Sequence, residues 1–323
     1  MGKRKICKIV FVILSIFLCV AFYELFGICI AYKKQPEVSN TIKKETQNDS
    51  WNERSENMER AVIIEKNPEA LLQRVRLIRN AKEDIILSTF AFQSDESGKL
   101  ILGALHDAAD RGVHIRLLVD GMESWIDMEG NPYFYGLSSH ENVEIKLYNK
   151  ANPLKPWKMM GRMHDKYLIA DGKRYILGGR NTYNYFLGDF PGHKNYDRDV
   201  LVVCDEPEKE NSVNQLLEYF ETIWEQEDSG YFHDNKKLAN RKSVKNAVLE
   251  LKNGYQKYFE ENKERICDTD YTDETFETEK IALVSNPIHT GSKEPVVWYQ
   301  LGELMKNAKN RVKIHTPYII CND

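Results

Sequence analysis

From Ile9 to Tyr32 the chain runs apolar, broken only by Ser15 and Glu24. As a helix this segment is long enough to cross a hydrocarbon core of ~30 Å. Lys3, Arg4, Lys5 and Lys8 precede it, and only Lys33 and Lys34 follow closely. That bias leaves residues 1–8 in the cytoplasm and the rest of the chain outside it. The expectation is a single-pass protein of the cell membrane: residues 9–32 form the anchor and the larger part is extracytoplasmic. A cleaved signal peptide would need a shorter apolar run and a small-x-small site after it, and the sequence offers neither cleanly. Residues 33–60 are polar and charged, with Ile42, Trp51 and Met58 almost the only large apolar residues, too few to bury a core. They read as a flexible stalk.

The full 323 residues allow an anchor, one domain of ordinary size and part of a second. A net charge of -4 with mixed signs gives no global basic field of the kind that gathers nucleic acid, and no nucleic-acid partner is expected. Of the six cysteines, Cys7, Cys19 and Cys29 lie in or beside the apolar run. Cys204, Cys267 and Cys321 are far apart, so neither a zinc site nor a disulfide framework is indicated. No His-Glu-x-x-His or comparable ligand cluster occurs, and chemistry without a tightly held metal or other cofactor is expected.

Beyond the stalk, "AVIIEKNPEALLQRVRLIRNAKEDIILSTFAF" reads as a short strand, a helix with Leu71, Leu72, Val75 and Ile78 on one face, and a buried strand from Ile85 to Phe90. "GKLILGALHDAADRG" is a second helix ending at Gly112. "VHIRLLVDG", "VEIKLYN" and "RDVLVV" are further strands, and Glu206 to Glu227 is an amphipathic helix. This alternation predicts an α/β fold: a mixed, largely parallel sheet flanked by helices on both faces. A first module over 61–265 and an acidic linker over 266–280 follow from the composition. Leu77–Asp95 laid over Leu304–Asp323 without a gap pairs Leu77 with Leu304, Asn80 with Asn307, Ala81 with Ala308, Lys82 with Lys309 and Thr89 with Thr316. Residues 281–323 are therefore expected to open a second, incomplete module.

Between those strands lies "GRMHDKYLIADGKRYILGGRN", Gly161 to Asn181. It alternates as a strand and turns at Asp171-Gly172, the signature of a hairpin. Residues two apart on a strand share a face, so His164 and Lys166 point the same way, ~6.5–7 Å apart. An imidazole can be a nucleophile or proton shuttle near neutrality, and an ammonium brings fixed charge and three donors. The pair suits a phosphoryl group, whose oxygens want donors while a nitrogen attacks phosphorus. Gly178 and Gly179 let backbone approach a ligand, and Asn181 adds a neutral donor. Asp171 falls on the opposite face by parity, which suits holding the turn or orienting a neighbour better than chemistry.

The whole pattern, H-x-K-x4-D-x6-G-G-x-N at His164, Lys166, Asp171, Gly178, Gly179 and Asn181, resembles the signature of the phospholipase D superfamily, which includes the bacterial cardiolipin synthases. The resemblance covers about Ala61 to Val203 and resumes from Ile281. It implies a phospholipase D-like sandwich and a two-step phosphodiester exchange through a phosphohistidine, at a site where two copies of the motif meet. His164 would be the nucleophile, and Lys166, Gly179 and Asn181 would bind the phosphate. Asp171 enters the catalytic set as a member of the signature, and Asp199, with Asp197 behind it, is the candidate to orient the histidine. The chain holds no second His-x-Lys, since His315 is followed by Thr316 and Pro317. A homodimer or a truncation of a two-motif enzyme would each account for that, and the incipient repeat favours truncation.

Family substrates are phospholipids or nucleic acids. The anchor favours phospholipid, with phosphatidylglycerol as donor and an alcohol as acceptor. A tethered nuclease and an inactive fragment that binds anionic lipid are the alternatives. "NPLKPWKMMGRM", just before His164, mixes Lys155, Lys158 and Arg162 with Trp157 and three methionines, and could rest among headgroups. Interior packing of Trp157 and Met160 is the better expectation, because apolar residues are more often inside.

Overall fold

The computed structural model describes residues 3–48, 59–204, 211–233 and 235–314. Helix α1 spans Lys3–Ala31, and at 1.5 Å per residue it is ~43 Å long. It has the length and composition to cross a membrane. A short helix, α2 (Asn40–Asn48), follows and lies against α10, so the expected stalk is ordered over that stretch. Residues 49–58 of the stalk lie outside the described residues.

From β1 (Arg60–Ile64) the chain alternates through α3 (Asn67–Asn80), β2 (Asp84–Thr89), α4 (Glu96–Asp110), β3 (His114–Asp120), α5 (Gly121–Asp127), α6 (Pro132–Ser138) and β4 (Val143–Tyr148). The hairpin strands β5 (Lys166–Ala170) and β6 (Arg174–Gly178) come next, then β7 (Asp199–Val203), α7 (Ser212–Trp224) and β8 (Ser229–Tyr231). α8 (Lys242–Glu261), α9 (Lys263–Cys267), β9 (Phe276–Glu277) and α10 (Val296–Lys306) complete the described elements. The strands form one sheet in the order β8-β4-β3-β2-β5-β6-β7-β1-β9.

The sheet is mixed and helix-flanked, as the alternation predicts, but parallel pairing is confined to β2-β3-β4. β2-β5, β5-β6, β6-β7 and β1-β7 are all antiparallel. The reason is local. A parallel neighbour needs a crossover helix, and the Asp171-Gly172 turn allows only a hairpin. One face of the sheet, with Ile85, Leu87, Leu117 and Leu168, packs on apolar residues of α3, α4, α6 and α8. The other face, with Ile86, Leu118, Tyr167 and Tyr175, packs on Val213, Leu216, Phe220 and Ile223 of α7, with Ile281, Leu283 and Ile288 at its margin.

The acidic stretch 266–280 is no free linker. Ile266 and Tyr271 are buried, and Arg76 pairs with Asp268 and Glu274 and lies over the Tyr271 ring. β9 adds to β1 at the sheet edge. The acidic residues that suggested a linker are partners for arginines of the module. In the ungapped overlay the end of α10 at Lys306 falls within a residue of where α3 ends at Asn80. In the same overlay the strand expected after it falls on residues 311–316; residues 311–314 form no strand, and 315–316 lie outside the described residues.

Candidate active site

The hairpin β5-β6 places its open end, with His164 two residues before Lys166, at the edge where β2 and β3 finish. His164 is exposed, and its ring stands edge-on to Phe90 with centroids 4.6 Å apart. Lys166 is only 5% exposed. Its Nζ donates to the His164 carbonyl at 2.6 Å and lies 5.1 Å from the Phe90 centroid. The Arg162 guanidinium covers the same ring at 5.0 Å. Phe90 thus gathers one imidazole and two cations, the π-face offsetting part of the charge crowding.

Burial pulls the Lys166 ammonium down to about 8, although Asp165, Asp197 and Asp120 act the other way. Burial also lowers His164, and Lys166 and Arg162 lower it further. A lowered imidazole is neutral at neutral pH, the state a nucleophile needs.

Asp120, buried at the end of β3, organises the approach to His164. It caps α5 through the Met122 and Glu123 amides, accepts from Arg162 Nε at 2.8 Å and from the Met163 amide at 3.1 Å. Arg162 also pairs with Glu123. Asp120 and Glu123 are the carboxylates whose charge supports the protonated form of His164. Sequence reasoning missed Asp120, Glu123 and Phe90. The available signal was an aspartate closing a parallel strand beside the histidine's hairpin, at the strand ends where α/β sheets gather their sites.

Asn181 is buried; its Oδ1 accepts the Ala91 amide at 3.3 Å, and its side chain also hydrogen-bonds Tyr183. Gly178 and Gly179 are needed for close approach, but to side chains of this chain. A Cβ on Gly178 would sit 2.0 Å from Asp199 Oδ1, and one on Gly179 would sit 2.2 Å from Asp197 Oδ2. The phosphate-binding role assigned to Gly179 therefore rests on its backbone alone.

Asp199 is buried between two arginines: its Oδ2 takes Arg74 at 2.8 Å and Arg180 at 3.2 Å. Arg180 is fixed in turn by the Ile64 and Glu65 carbonyls. Asp199 Oδ1 has no hydrogen-bond partner among the described residues. It lies against Gly178, which lines the same cavity as His164. The His164 ring makes no hydrogen bond among the described residues, so the orienting bond expected from Asp199 is not formed in this structure.

Asp171 is away from the chemistry. It sits at the far end of β5, ~15 Å along the strand from Lys166, in the left-handed region at φ 52°. Its carboxylate accepts the amides of Lys82, Glu83 and Asp84 at 2.8 to 3.1 Å. Its place in a catalytic set is corrected accordingly: strand parity puts it across the sheet, and three backbone donors occupy it. Asp171→Ala should cost about 1–3 kcal/mol in a denaturant titration, the penalty for orphaning such donors. The same variant, refolded, should keep its turnover.

A cavity of about 370 Å³ opens beside the hairpin, bounded by His164, Lys166, Gly178, Tyr219, Asn286 and Lys293. Asp165 turns to the α7 side and accepts the Tyr219 hydroxyl at 2.7 Å. Burial raises its carboxyl and lowers Lys293. His193 and Lys194 do not enter this cavity; Lys194 donates to the Asn184 carbonyl of its own loop.

Residues 74–224 match the family model described as "Cardiolipin synthase, PLD-like domain". This part of the chain is a phospholipase D-like domain. All the motif positions fall inside it. "Cardiolipin synthase C" of Escherichia coli K12 is 29% identical over 171 residues, 49% of this chain and 34% of that protein. "Cardiolipin synthase 1" of Staphylococcus aureus MRSA252 is 35% identical over 112 residues, 34% of this chain and 22% of that protein. An uncharacterised protein of Helicobacter pylori J99 is 30% identical over 212 residues, 61% of this chain and 39% of that protein. The chain thus spans well under two-thirds of the length of these relatives. Among solved structures, phosphatidylserine synthase of Haemophilus influenzae Rd KW20 is 17% identical over 68% of this chain and 48% of its own, with a TM-score of 0.45.

Proposed function

We propose that the phospholipase D-like domain breaks and re-forms phosphodiester bonds of phospholipids, as a membrane-anchored phosphatidyltransferase or phospholipase D of cardiolipin-synthase type with phosphatidylglycerol as donor. The observation that carries the chemistry is an exposed imidazole at His164 with the buried Lys166 side chain two residues away, packed against the same Phe90 ring. A His164 nitrogen attacks phosphorus, and the bond from phosphorus to the leaving alcohol breaks, leaving phosphohistidine. An acceptor hydroxyl, or water, then attacks phosphorus and releases the imidazole. Lys166 and Asn181 hold the phosphoryl oxygens, where positioned donors are worth most. The proton for the leaving alcohol comes from a second copy of the motif, supplied either by the second module of a longer two-motif protein, which the incipient repeat favours, or by a partner chain in a homodimer. Helix α1 favours lipid over nucleic acid as the source of the phosphodiester.

The test uses the full chain with phosphatidylglycerol vesicles labelled in the phosphatidyl group, quenched in base. Label should be bound to the wild-type chain and absent from His164→Ala, with turnover reduced at least ~10⁴-fold, as for lost nucleophiles generally. Cleavage of plasmid DNA that disappears in His164→Ala, without lipid turnover, would make the protein a nuclease instead.

A further inference from the structure

The loop before His164 is not packed inside as its apolar residues led us to expect. Leu154, Trp157 and Met160 are 77%, 43% and 57% exposed. What covers this loop on its other side is α1. The Tyr23 hydroxyl donates to the Leu154 carbonyl at 2.9 Å, and Gly27 abuts Pro156 so closely that a Cβ there would sit 2.5 Å from its Cγ. Farther along, the Tyr32 hydroxyl donates to the Thr290 carbonyl, and Ser292 donates to the Ala31 carbonyl at 3.0 Å. The last turns of α1 are therefore held against the loop and against the 286–294 segment that bounds the catalytic cavity.

This contact sets a depth. A hydrocarbon core takes ~20 residues of helix. Counted from Ile9, the first residue past the basic end at Lys8, it finishes near Ile28. At ~1.5 Å per residue, Tyr23 then lies ~8 Å inside the far boundary and Gly27 only ~2 Å inside it. Leu154 is bonded at the level of Tyr23, and Pro156 abuts Gly27. We infer that residues 154–157 enter the outer part of the bilayer beside α1, with Leu154 and Trp157 among the upper acyl chains and Met160, at the level of Tyr32 and Gln35, among the headgroups. The exposed Lys155 reaches back to the phosphates, as long basic side chains do at such an interface.

The arrangement also fixes the entry to the site. A second cavity of about 290 Å³ lies between Tyr32 and Gln35 at the end of α1, Met160, and Asn286 and Lys293. The last two residues also line the cavity beside His164. A phosphodiester headgroup leaving the bilayer at the end of α1 meets this path first, with the reactive imidazole beyond it. The inference rests on α1 crossing a membrane, as proposed above, and makes the loop part of the membrane-bound surface.

Quenching of tryptophan fluorescence by brominated acyl chains tests it with the full chain in phosphatidylglycerol–phosphatidylcholine vesicles. Lipids brominated near the carbonyl end should quench more strongly than those brominated near the chain end, and Trp157→Phe should lose a large part of that quenching. Conservative replacement keeps the aromatic contact, and flotation of both proteins with the vesicles is measured alongside. Flotation with quenching unchanged by Trp157→Phe would overturn insertion of the loop while leaving the anchor intact. Failure to float would overturn the anchor, and the inference with it.

Discussion

Asp199→Asn should destabilise the protein by about 3–5 kcal/mol, the usual consequence of leaving buried charges without their counterion. For a domain of this size that lowers the melting temperature by roughly 6–20 °C. The reason is the shared oxygen: Arg74 and Arg180 both bond Asp199 Oδ2, and both guanidiniums are buried. An amide leaves two like charges facing one another in the interior, at the junction of α3, β1 and β7. Thermal unfolding in detergent measures this. The variant also decides the role expected of Asp199 from the sequence. A normal melting temperature with impaired phosphohistidine formation would make it an orienter of His164, acting through the Oδ1 that has no partner here.

Lys166→Met should push activity and stability in opposite directions. Without the ammonium the phosphoryl group loses its nearest charged donor, and turnover should fall by at least about 10²–10³-fold. The fold should gain. Burial lowers Lys166 from 10.5 to about 8, and at 1.36 kcal/mol per pH unit the native state carries on the order of 3 kcal/mol of strain at neutral pH. Loss of the bond to the His164 carbonyl offsets about 1 kcal/mol of that, leaving a net gain of roughly 1–2 kcal/mol. The linkage has a definite sign. Between pH about 8 and 10.5 the unfolded chain holds a proton that the native chain does not, so wild-type stability contributed by this group rises through that window. Lys166→Met should lack the rise. Wild-type activity should decline above pH about 8 as the ammonium deprotonates, while its acid limb lies below the ordinary imidazole value. Melting curves and rates across pH measure both.

Several elements were legible in the sequence for stated reasons. The α3 face with Leu71, Leu72, Val75 and Ile78 shows the helical period, and Asp171-Gly172 announced the hairpin. Parity alone placed Asp171 away from His164. The sheet's pairing was harder, because alternating helices and strands suggest parallel neighbours until the hairpin is counted as two strands, and β1 returns to pair with β7 across a long separation. Within the site, His164 and Lys166 were visible because strand period two puts them on one face. Phe90, Asp120 and Glu123 were invisible: they come from the ends of β2 and β3 and the start of α5, and meet the histidine only when the sheet is assembled. Trp157 and Met160 were misjudged because composition cannot distinguish an interior wall from a surface laid against a long apolar helix such as α1.

The motif mixes two kinds of residue. His164 and Lys166 face the cavity, whereas Asp171 ties down the turn into β2, and Gly178 and Gly179 leave room for Asp199 and Asp197. A descendant that had given up chemistry would be free to lose the first pair, yet would still need the aspartate and the glycines to fold. Half of the signature therefore testifies to ancestry and architecture. In the proposed reaction the chemistry falls to the other half, His164, Lys166 and Asn181.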